Sequence, residues 1–170
     1  MQTRHTVIDS ALSELTLIAD GDALTGVYFR HHWHPPTPDA LGQYIEPAAD
    51  ELFTRAGDQL REYLDGERTQ FDLPIALVGD PRQRGVWELL NDIAYGDTTT
   101  YGELAAKLAD GSTAYEVGQV VGRNPLSIIL PCHRVVGKNG ALTGYAGGLK
   151  RKRYLLDLEA PAAAAAGRLF

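Results

Sequence analysis

The chain has 170 residues, of which 44% are hydrophobic and 22% are charged, and its formal net charge at pH 7 is −6. This length allows one ordinary domain or two small ones. The composition is typical of a soluble globular protein rather than a disordered or fibrous one. No apolar run approaches the length of a membrane span, and the N-terminus lacks a secretory pattern, so we expect no association with a membrane.

The charges are unevenly distributed along the chain. Residues 1–81 contain 5 Lys and Arg against 14 Asp and Glu, whereas residues 82–153 contain 10 against 6. Local contact with nucleic acid requires such a basic segment, because phosphates respond to nearby charge over about a Debye length, ~8 Å at physiological salt. A solvated helix face explains the same charge equally well.

The first half of the chain has the pattern of an antiparallel sheet followed by a helix. Short β-rich runs at Arg4–Asp9, Leu15–Ala19 and Leu24–Arg30 are separated by turn residues and predict three strands in a meander. Phe71–Pro74 is a candidate last strand. From Ala48 to Leu64 an apolar residue recurs every fourth position, which predicts a helix. The predicted buried face of this helix consists of Leu52, Ala56, Leu60 and Leu64.

Three histidines lie close together in a predicted loop after the third strand. Imidazole is a common metal ligand, but no Cys or clear acidic ligand is spaced nearby, so a solvated loop is favoured over a metal site. Gly79-Asp80-Pro81 marks the predicted boundary between an N-terminal domain at 1–80 and a C-terminal domain at 81–160. Residues 161–170 form an Ala-rich tail that we expect to be frayed. The three histidines are His31, His32 and His34.

The second half is predicted to be mostly helical. Arg82–Ile93 carries apolar residues on one face. Thr99 or Thr100 can cap a second helix that runs to about Ala109, and Glu103 completes a capping box with Thr100. Thr113–Arg123 is predicted as a third helix, and two short helices around a Gly-containing turn are typical of a helix-turn-helix. Two further predictions are a hairpin turn at Lys138-Asn139-Gly140, between Val135-Val136 and Ala141-Leu142, and a last helix at Leu149–Glu159.

The only cysteine of the chain, Cys132, lies in the run Ile128-Ile129-Leu130-Pro131-Cys132-His133-Arg134-Val135-Val136-Gly137. A lone cysteine forms no internal disulfide, and a free thiol fits a reducing cytosol. Buried packing is the common role of such a residue. Here Pro131 fixes the backbone before the thiol, and the cationic neighbours His133 and Arg134 favour the nucleophilic thiolate form. We therefore predict a reactive thiol.

This run resembles the active-site motif of the DNA alkyltransferases that repair alkylated guanine, the methylated-DNA–protein-cysteine methyltransferases. The similarity is strong over about 81–159 and weak in the N-terminal half. It implies an α/β fold, in which an N-terminal antiparallel-sheet domain of ribonuclease-H-like type supports a C-terminal helical domain of winged helix-turn-helix-like type. The other matching motifs are Val86-Trp87, Tyr95–Gly102, Asn124-Pro125, Thr143–Gly148 and Leu155–Glu159.

The resemblance also assigns an activity and roles to individual residues. It implies DNA repair by irreversible transfer of an alkyl group from guanine O6 to Cys132, once per molecule, without a metal or cofactor. His133 and Glu159 form a relay that takes the thiol proton through a water molecule. Asn124 braces the active-site turn, and Tyr101 donates a hydrogen bond to the flipped guanine. The residues that bind the alkylated base are Tyr145, Val135, Ala146 and Gly147.

The resemblance implies that the helix at 113–123 enters the minor groove of alkylated double-stranded DNA while the target base is flipped out. In the family an arginine usually fills the space left by that base, but this chain has Tyr115 there, followed by Glu116. A tyrosine ring fills the gap by stacking but lacks the charge, and Glu116 repels phosphate. We expect a monomer that acts in the cytoplasm. The other predicted DNA-binding residues are Thr113, Ala114, Gly118, Arg123 and Arg134.

Two other functions fit parts of the pattern. A protein that flags alkylated DNA without repairing it recognises the same lesion, but such relatives lack the cysteine. A Cys-His hydrolase also uses a thiol, but hydrolases bring the histidine from a distant segment, whereas His133 is the direct neighbour of Cys132. Both observations favour alkyl transfer over the alternatives.

Overall fold

The chain divides into two units, and the division does not follow the order of the sequence. The computed structural model describes residues 2–165, and the side chains of residues 2–160. The first unit consists of Met1–Leu77 together with Pro125–Ile129, and the second of Val78–Asn124 together with Leu130–Phe170. The predicted mixture of strands and helices is confirmed.

A four-stranded sheet forms the centre of the first unit. Strands β1 (Thr3–Ile8), β2 (Leu15–Asp20) and β3 (Ala23–Phe29) are antiparallel neighbours, and the short β4 (Gln43–Tyr44) pairs parallel to β1. The sheet order is therefore β3-β2-β1-β4, which confirms the predicted meander. Leu15, Leu17, Leu24 and Val27 are fully buried.

Helix α2 (Glu51–Leu64) packs on this sheet, while the preceding α1 (Pro38–Leu41) is a single turn. Asp50 caps α2 by accepting a hydrogen bond from the amide of Phe53 at 3.1 Å. The helix begins three residues after the predicted Ala48, because Pro47–Ala49 form a separate 3-10 turn. Its buried face also differs, since Leu52 is half-exposed. The buried residues are Phe53, Ala56, Gln59, Leu60, Tyr63 and Leu64.

The edge of β3 is covered by two short segments instead of a full strand. The predicted strand at Phe71–Pro74 is wrong: Ile75 makes an isolated parallel bridge with Leu24, and Pro74 only accepts a hydrogen bond from the Leu24 amide at 2.9 Å. Val27 makes the same kind of bridge with Leu126. Each segment makes only one pair of backbone hydrogen bonds with β3. Such a short pairing does not produce the alternating apolar and polar pattern by which a strand is predicted from sequence.

The histidine loop contains one structural histidine. His32 is buried, its Nδ1 accepts a hydrogen bond from the Phe29 amide at 3.4 Å, and its ring packs edge-on against Tyr28. It is therefore not part of a solvated loop. His31 and His34 are exposed. Among the residues that the structure describes, no group of His, Cys, Asp or Glu has the arrangement of a metal site.

Capping side chains set the starts of the helices in the second unit. At the start of α3, Asp80 accepts from the Gln83 amide at 2.8 Å, and the Gln83 side chain accepts from the Asp80 amide at 3.0 Å. Thr100 caps α4 as predicted, but the predicted capping box is incomplete, because the Glu103 side chain accepts from the Thr99 hydroxyl at 2.9 Å. The helices are α3 (Pro81–Leu90), α4 (Tyr101–Leu108), α5 (Ala114–Val121) and α6 (Leu149–Ala165), and the strands are β5 (Thr99–Thr100) and β6 (Val135–Val136).

Two predictions in this unit need correction. The turn at Lys138–Gly140 is present, with Asn139 at φ +62°, but β6 pairs in parallel with β5 and not with the residues after the turn. The predicted hairpin is therefore wrong. Helix α6 continues to Ala165, beyond the predicted end at Glu159 and into the predicted tail. Residues 166–170 of that tail lie outside the described residues.

Replacing Gly42 by alanine tests how tightly β4 approaches β1. Gly42 has a φ of +65°, and a Cβ atom there overlaps the carbonyl oxygen of Thr3. Gly66 has a φ of +80° with nothing within 4 Å of the added atom, so Gly66→Ala is a control for the backbone cost alone. We expect Gly66→Ala to lower the free energy of unfolding by about 1 kcal/mol and Gly42→Ala by roughly 3 kcal/mol or more. Urea denaturation measures both, and equal losses contradict the overlap.

Candidate active site

The thiol of Cys132 lies in a buried 3-10 turn formed by Cys132–Arg134, where only 5% of the Cys132 surface is exposed. The chain leaves the second unit after Asn124 and returns to it at Leu130. The side-chain amide of Asn124 donates to the Leu130 carbonyl at 2.9 Å and so joins these two points. The cysteine follows two residues later, and its position is fixed by this closure and by Pro131.

Burial dominates the electrostatics of the thiol and raises its pKa above the usual value of a cysteine. Hydrogen bonds from the side chains of Asn124 and Tyr145, and the positive charge of Lys152, act in the opposite direction. The sequence predicts a stabilised thiolate, but burial outweighs these opposing contacts. The resting site therefore holds a neutral thiol.

Glu159, on α6, is a buried carboxylate that accepts hydrogen bonds from three residues in two other segments of the chain. Arg134 donates through Nε at 2.8 Å and through Nη2 at 3.0 Å, and the Gly96 amide donates at 3.2 Å. His133 Nε2 lies 2.8 Å from Oε2 of the same carboxylate. Burial alone raises the pKa of Glu159, but the hydrogen bonds from His133 and Arg134 outweigh it and lower the pKa to about 2. Glu159 is thus ionised throughout the physiological range.

His133 is fully buried, and burial lowers its pKa below the usual value of histidine, although the bond to Glu159 opposes this shift. The ring is therefore neutral at pH 7. Because Glu159 is ionised, the proton of the neutral ring is held on Nε2, where it donates to the carboxylate. Nδ1 is then the basic nitrogen of His133. The predicted pairing of His133 with Glu159 is present in this geometry.

Arg134 serves the buried ion pair rather than the predicted DNA-binding surface. It is buried, and in addition to Glu159 it donates through Nη1 to the Ile93 carbonyl at 2.5 Å. Its guanidinium also lies over the ring of Tyr95, 5.6 Å from the ring centroid. These contacts use three of the five N–H donors of Arg134, and the burial of the side chain keeps it away from a phosphate at the surface.

Tyr101, the first residue of α4, keeps its hydroxyl proton. Burial raises the pKa of Tyr101, the hydrogen bond with Thr143 at 3.2 Å partly opposes this shift, and ionisation of Cys132 raises the pKa by a smaller amount. Gly118 of α5 lies against this ring, since a Cβ atom there is 3.5 Å from Tyr101 Cδ1. This is an ordinary van der Waals distance, so an alanine also fits at this position.

The predicted base-binding residues are all buried, and one further residue joins the site. Lys152 was not predicted as a site residue, yet its charge acts on Cys132 and its Nζ donates to the Val135 carbonyl at 2.6 Å. The sequence did hold a signal, because Lys152 is spaced three and seven residues before the buried Leu155 and Glu159, on one face of a helix. The buried base-binding residues are Val135, Tyr145, Ala146 and Gly147.

The start of α5 presents an exposed surface. Tyr115 is 75% exposed, and Thr113 and Ala114 beside it are also exposed, as is Arg123 beyond the end of the helix. Glu116 does not point away as a free charge, since its side chain accepts from the Thr113 amide at 2.9 Å and completes a capping box. These contacts lower the pKa of Glu116.

Comparison with known proteins identifies the family. The profile of the "6-O-methylguanine DNA methyltransferase, DNA binding domain" matches residues 81–161, and that of the "ribonuclease-like domain" of the same proteins matches residues 3–77. A methylated-DNA–protein-cysteine methyltransferase from Mycobacterium tuberculosis is 42% identical over 98% of both chains. The chain belongs to the methylated-DNA–protein-cysteine methyltransferases. Membership of this family decides against the lesion-flagging protein and the Cys-His hydrolase.

Solved structures of this methyltransferase family have the same fold. The Mycobacterium tuberculosis O6-methylguanine methyltransferase superimposes with a TM-score of 0.83 at 40% identity, over 94% of this chain and 93% of that one. A methyltransferase from Methanococcus jannaschii gives a TM-score of 0.62 at 27% identity, over 91% and 92%. None of the helices in the described part of the chain is long and apolar enough to cross a membrane.

The ionisation of Glu159 makes the stability of the protein depend on pH. A carboxylate whose pKa falls from an ordinary 4.5 to about 2 stabilises the fold above pH 4.5, and this contribution is lost as the pH falls from 4.5 towards 2. The full contribution is roughly 3 kcal/mol. We expect Glu159→Gln to be less stable than wild type at pH 7, and the difference to shrink at pH 3.

Urea denaturation across this range measures the difference in the free energy of unfolding. Asp157→Asn, at an exposed position of the same helix, is the control for the loss of one charge. A difference between wild type and Glu159→Gln that stays constant from pH 7 to pH 3 contradicts the assigned ionisation.

Proposed function

We propose that this protein repairs DNA by moving an alkyl group from guanine O6 to the sulfur of Cys132, once per molecule. The observation that carries the proposal is the single thiol of the chain, buried in the turn that the Asn124 side chain closes, with His133 beside it in the sequence and paired with Glu159 at 2.8 Å. The crystal structure of the Mycobacterium tuberculosis relative in complex with DNA supports DNA as the partner.

The proposed reaction is a displacement at the alkyl carbon. The sulfur forms a bond to that carbon, the bond from the carbon to guanine O6 breaks, and the electron pair stays on the guanine. The thiol proton passes to Nδ1 of His133, through a water in the proposed relay, and Glu159 stabilises the resulting cation. The neutral hydroxyl of Tyr101 donates to the guanine ring as its negative charge develops. The product is a thioether, which the protein has no means of cleaving, so the transfer is irreversible.

The burial of the thiol requires that the base leaves the DNA stack. Only 5% of Cys132 is exposed, so a base that stays stacked in the duplex does not reach the sulfur. The nucleotide must therefore be flipped into the site, at a cost of a few kcal/mol. We propose that the exposed start of α5 enters the minor groove, where Thr113 and Ala114 allow close approach. Arg123 is free to contact a phosphate because it is exposed.

Tyr115 is the proposed wedge that keeps the flipped base out of the duplex. It is the large exposed side chain of α5, and at 75% exposure it has no packing role inside the unit. An aromatic ring that stacks in the vacated space is worth about 1–3 kcal/mol. The neighbouring Glu116 is less repulsive to phosphate than the sequence indicates, because Arg82 Nη2 lies 3.6 Å from its carboxylate.

We propose that the protein acts as a monomer in the cytoplasm. One chain carries every residue of the proposed reaction, so no second copy is needed to complete the site. An acceptor thiol that works once must stay reduced until it meets the lesion, and the cytoplasm is a reducing compartment.

Intact mass spectrometry after mixing with an O6-methylguanine duplex tests the stoichiometry. We expect one methyl group per chain, located on the peptide with Cys132, and no second turnover when the duplex is in excess. The control is the same duplex with unmodified guanine. Cys132→Ala is expected to keep DNA binding and lose transfer. Repeated turnover, or transfer by Cys132→Ala, refutes the proposal.

The ratio of repair rates on duplex DNA and on a free alkylguanine base tests the wedge. If Tyr115 fills the vacated stack, Tyr115→Ala loses roughly 1–3 kcal/mol in duplex repair, about 5- to 150-fold in rate, and retains its rate on the free base. Tyr44→Ala, at an exposed tyrosine of the first unit, is the matched control. An unchanged ratio in Tyr115→Ala contradicts the wedge role.

A further inference from the structure

Two carboxylates lie in the turn before α5 and at the start of that helix. Residues 109–117 contain Asp110 and Glu116 but no Lys or Arg. Each carboxylate accepts a hydrogen bond within this segment: Asp110 accepts from the Ser112 amide at 2.9 Å, and Glu116 from the Thr113 amide at 2.9 Å. Hydrogen bonds with these neighbours lower the pKa of both carboxyl groups, so both are ionised at pH 7. The segment by itself therefore has two negative charges beside the proposed DNA surface.

Arg82, near the start of α3, contacts this segment at three points. Its Nη2 donates to the Ser112 hydroxyl at 2.6 Å and lies 3.6 Å from Glu116 Oε2. Its Nε lies 3.8 Å from Asp110 Oδ2. The hydrogen bond to Ser112 spans 30 residues of sequence, so tertiary structure holds the guanidinium beside both carboxylates.

The two ion pairs of Arg82 are a weak source of stability, because their side chains are between 39% and 48% exposed. Exposed ion pairs are screened by water and salt, and they require two long side chains to be ordered. The hydrogen bonds of the turn and the cap do not need the charges either, since Asn and Gln side chains offer the same acceptor oxygen. The larger effect of Arg82 is on the surface itself, where its guanidinium changes the local sum from two negative charges to one.

We propose that Arg82 is a positioning residue for DNA binding, which offsets the charges of Asp110 and Glu116 and so lets the start of α5 approach the phosphates. Charges at this surface act over about a Debye length, ~8 Å at physiological salt, and therefore on the phosphates nearest to the turn. The Ser112 hydroxyl holds the guanidinium within 4.0 Å of both carboxylates, so the positive charge is in place before DNA arrives. The inference rests on the proposed entry of α5 into the minor groove.

The affinity of each variant for an unmodified DNA duplex tests this proposal, and the anisotropy of a fluorescent duplex measures it. Two unit charges about 7 Å apart in water interact with an energy that changes an affinity about threefold. More than one phosphate of a duplex lies within this range, so Arg82→Gln is expected to weaken binding roughly three- to tenfold at low salt. The weakening must shrink as salt is added, because exposed charges are screened.

Compensation separates this role from a direct contact with DNA and from a role in folding. Asp110→Asn/Glu116→Gln keeps the hydrogen-bond acceptors and removes the negative charges, so Arg82→Gln in that background is expected to bind at least as tightly as wild type. Arg82→Lys retains the positive charge and is expected to bind close to wild type. Arg84→Gln removes an exposed arginine two residues along the same helix, about 200° around its axis, and is the matched control.

An Arg82→Gln variant that binds the duplex like wild type overturns the proposal. A triple variant that binds as weakly as Arg82→Gln also overturns it, because a direct phosphate contact or a damaged fold predicts that result. The mass experiment on the wild-type protein tests alkyl transfer without any change at Arg82. Transfer by wild type without an effect of Arg82→Gln therefore refutes this inference alone, whereas compensation without transfer refutes only the proposed chemistry.

Discussion

The buried carboxylate of Glu159 is the interaction on which the active site depends. It joins α6, the turn that carries Cys132, and the loop at Gly96, three segments that lie far apart in the sequence. A buried carboxylate is tolerated only when its hydrogen-bond acceptors are filled, and Arg134 supplies two of the donors. The ionised group then holds the neutral ring of His133 in the orientation that leaves Nδ1 basic.

This arrangement gives a site that is inactive at rest, since the thiol is buried and neutral. Ionisation alone is a limited source of rate: an ordinary thiol is about 3% thiolate at pH 7, so complete ionisation gains about thirtyfold, or ~2 kcal/mol. Enzymes typically lower barriers by about 8 kcal/mol or more. The larger share must come from holding the alkyl carbon in line with the sulfur and from stabilising the departing guanine. A neutral resting thiol also protects a group that acts only once from oxidation.

The sequence predicted those elements whose signals are local. The three long strands, the helix cap at Thr100 and the reactive cysteine follow from patterns within a few residues. It could not predict that Pro125–Ile129 joins the first unit or that Ile128 adopts a φ of +72°, which is unusual for a β-branched residue. Arg134 binds Glu159, 25 residues away in the chain, and Lys152 binds the Val135 carbonyl, 17 residues away. Their local sequence shows only two basic residues, which are usually exposed at a protein surface.

At the start of α5, some residues have a role in the fold and others do not. Thr113 and Glu116 are required by the capping box, so these two positions are explained without DNA. Tyr115 lies between them and satisfies none of these demands, because its side chain is exposed. Folding therefore leaves this position open, and an arginine fits it as well as a tyrosine does. An aromatic ring at this exposed position suits the proposed wedge role, because a neutral ring stacks on a base.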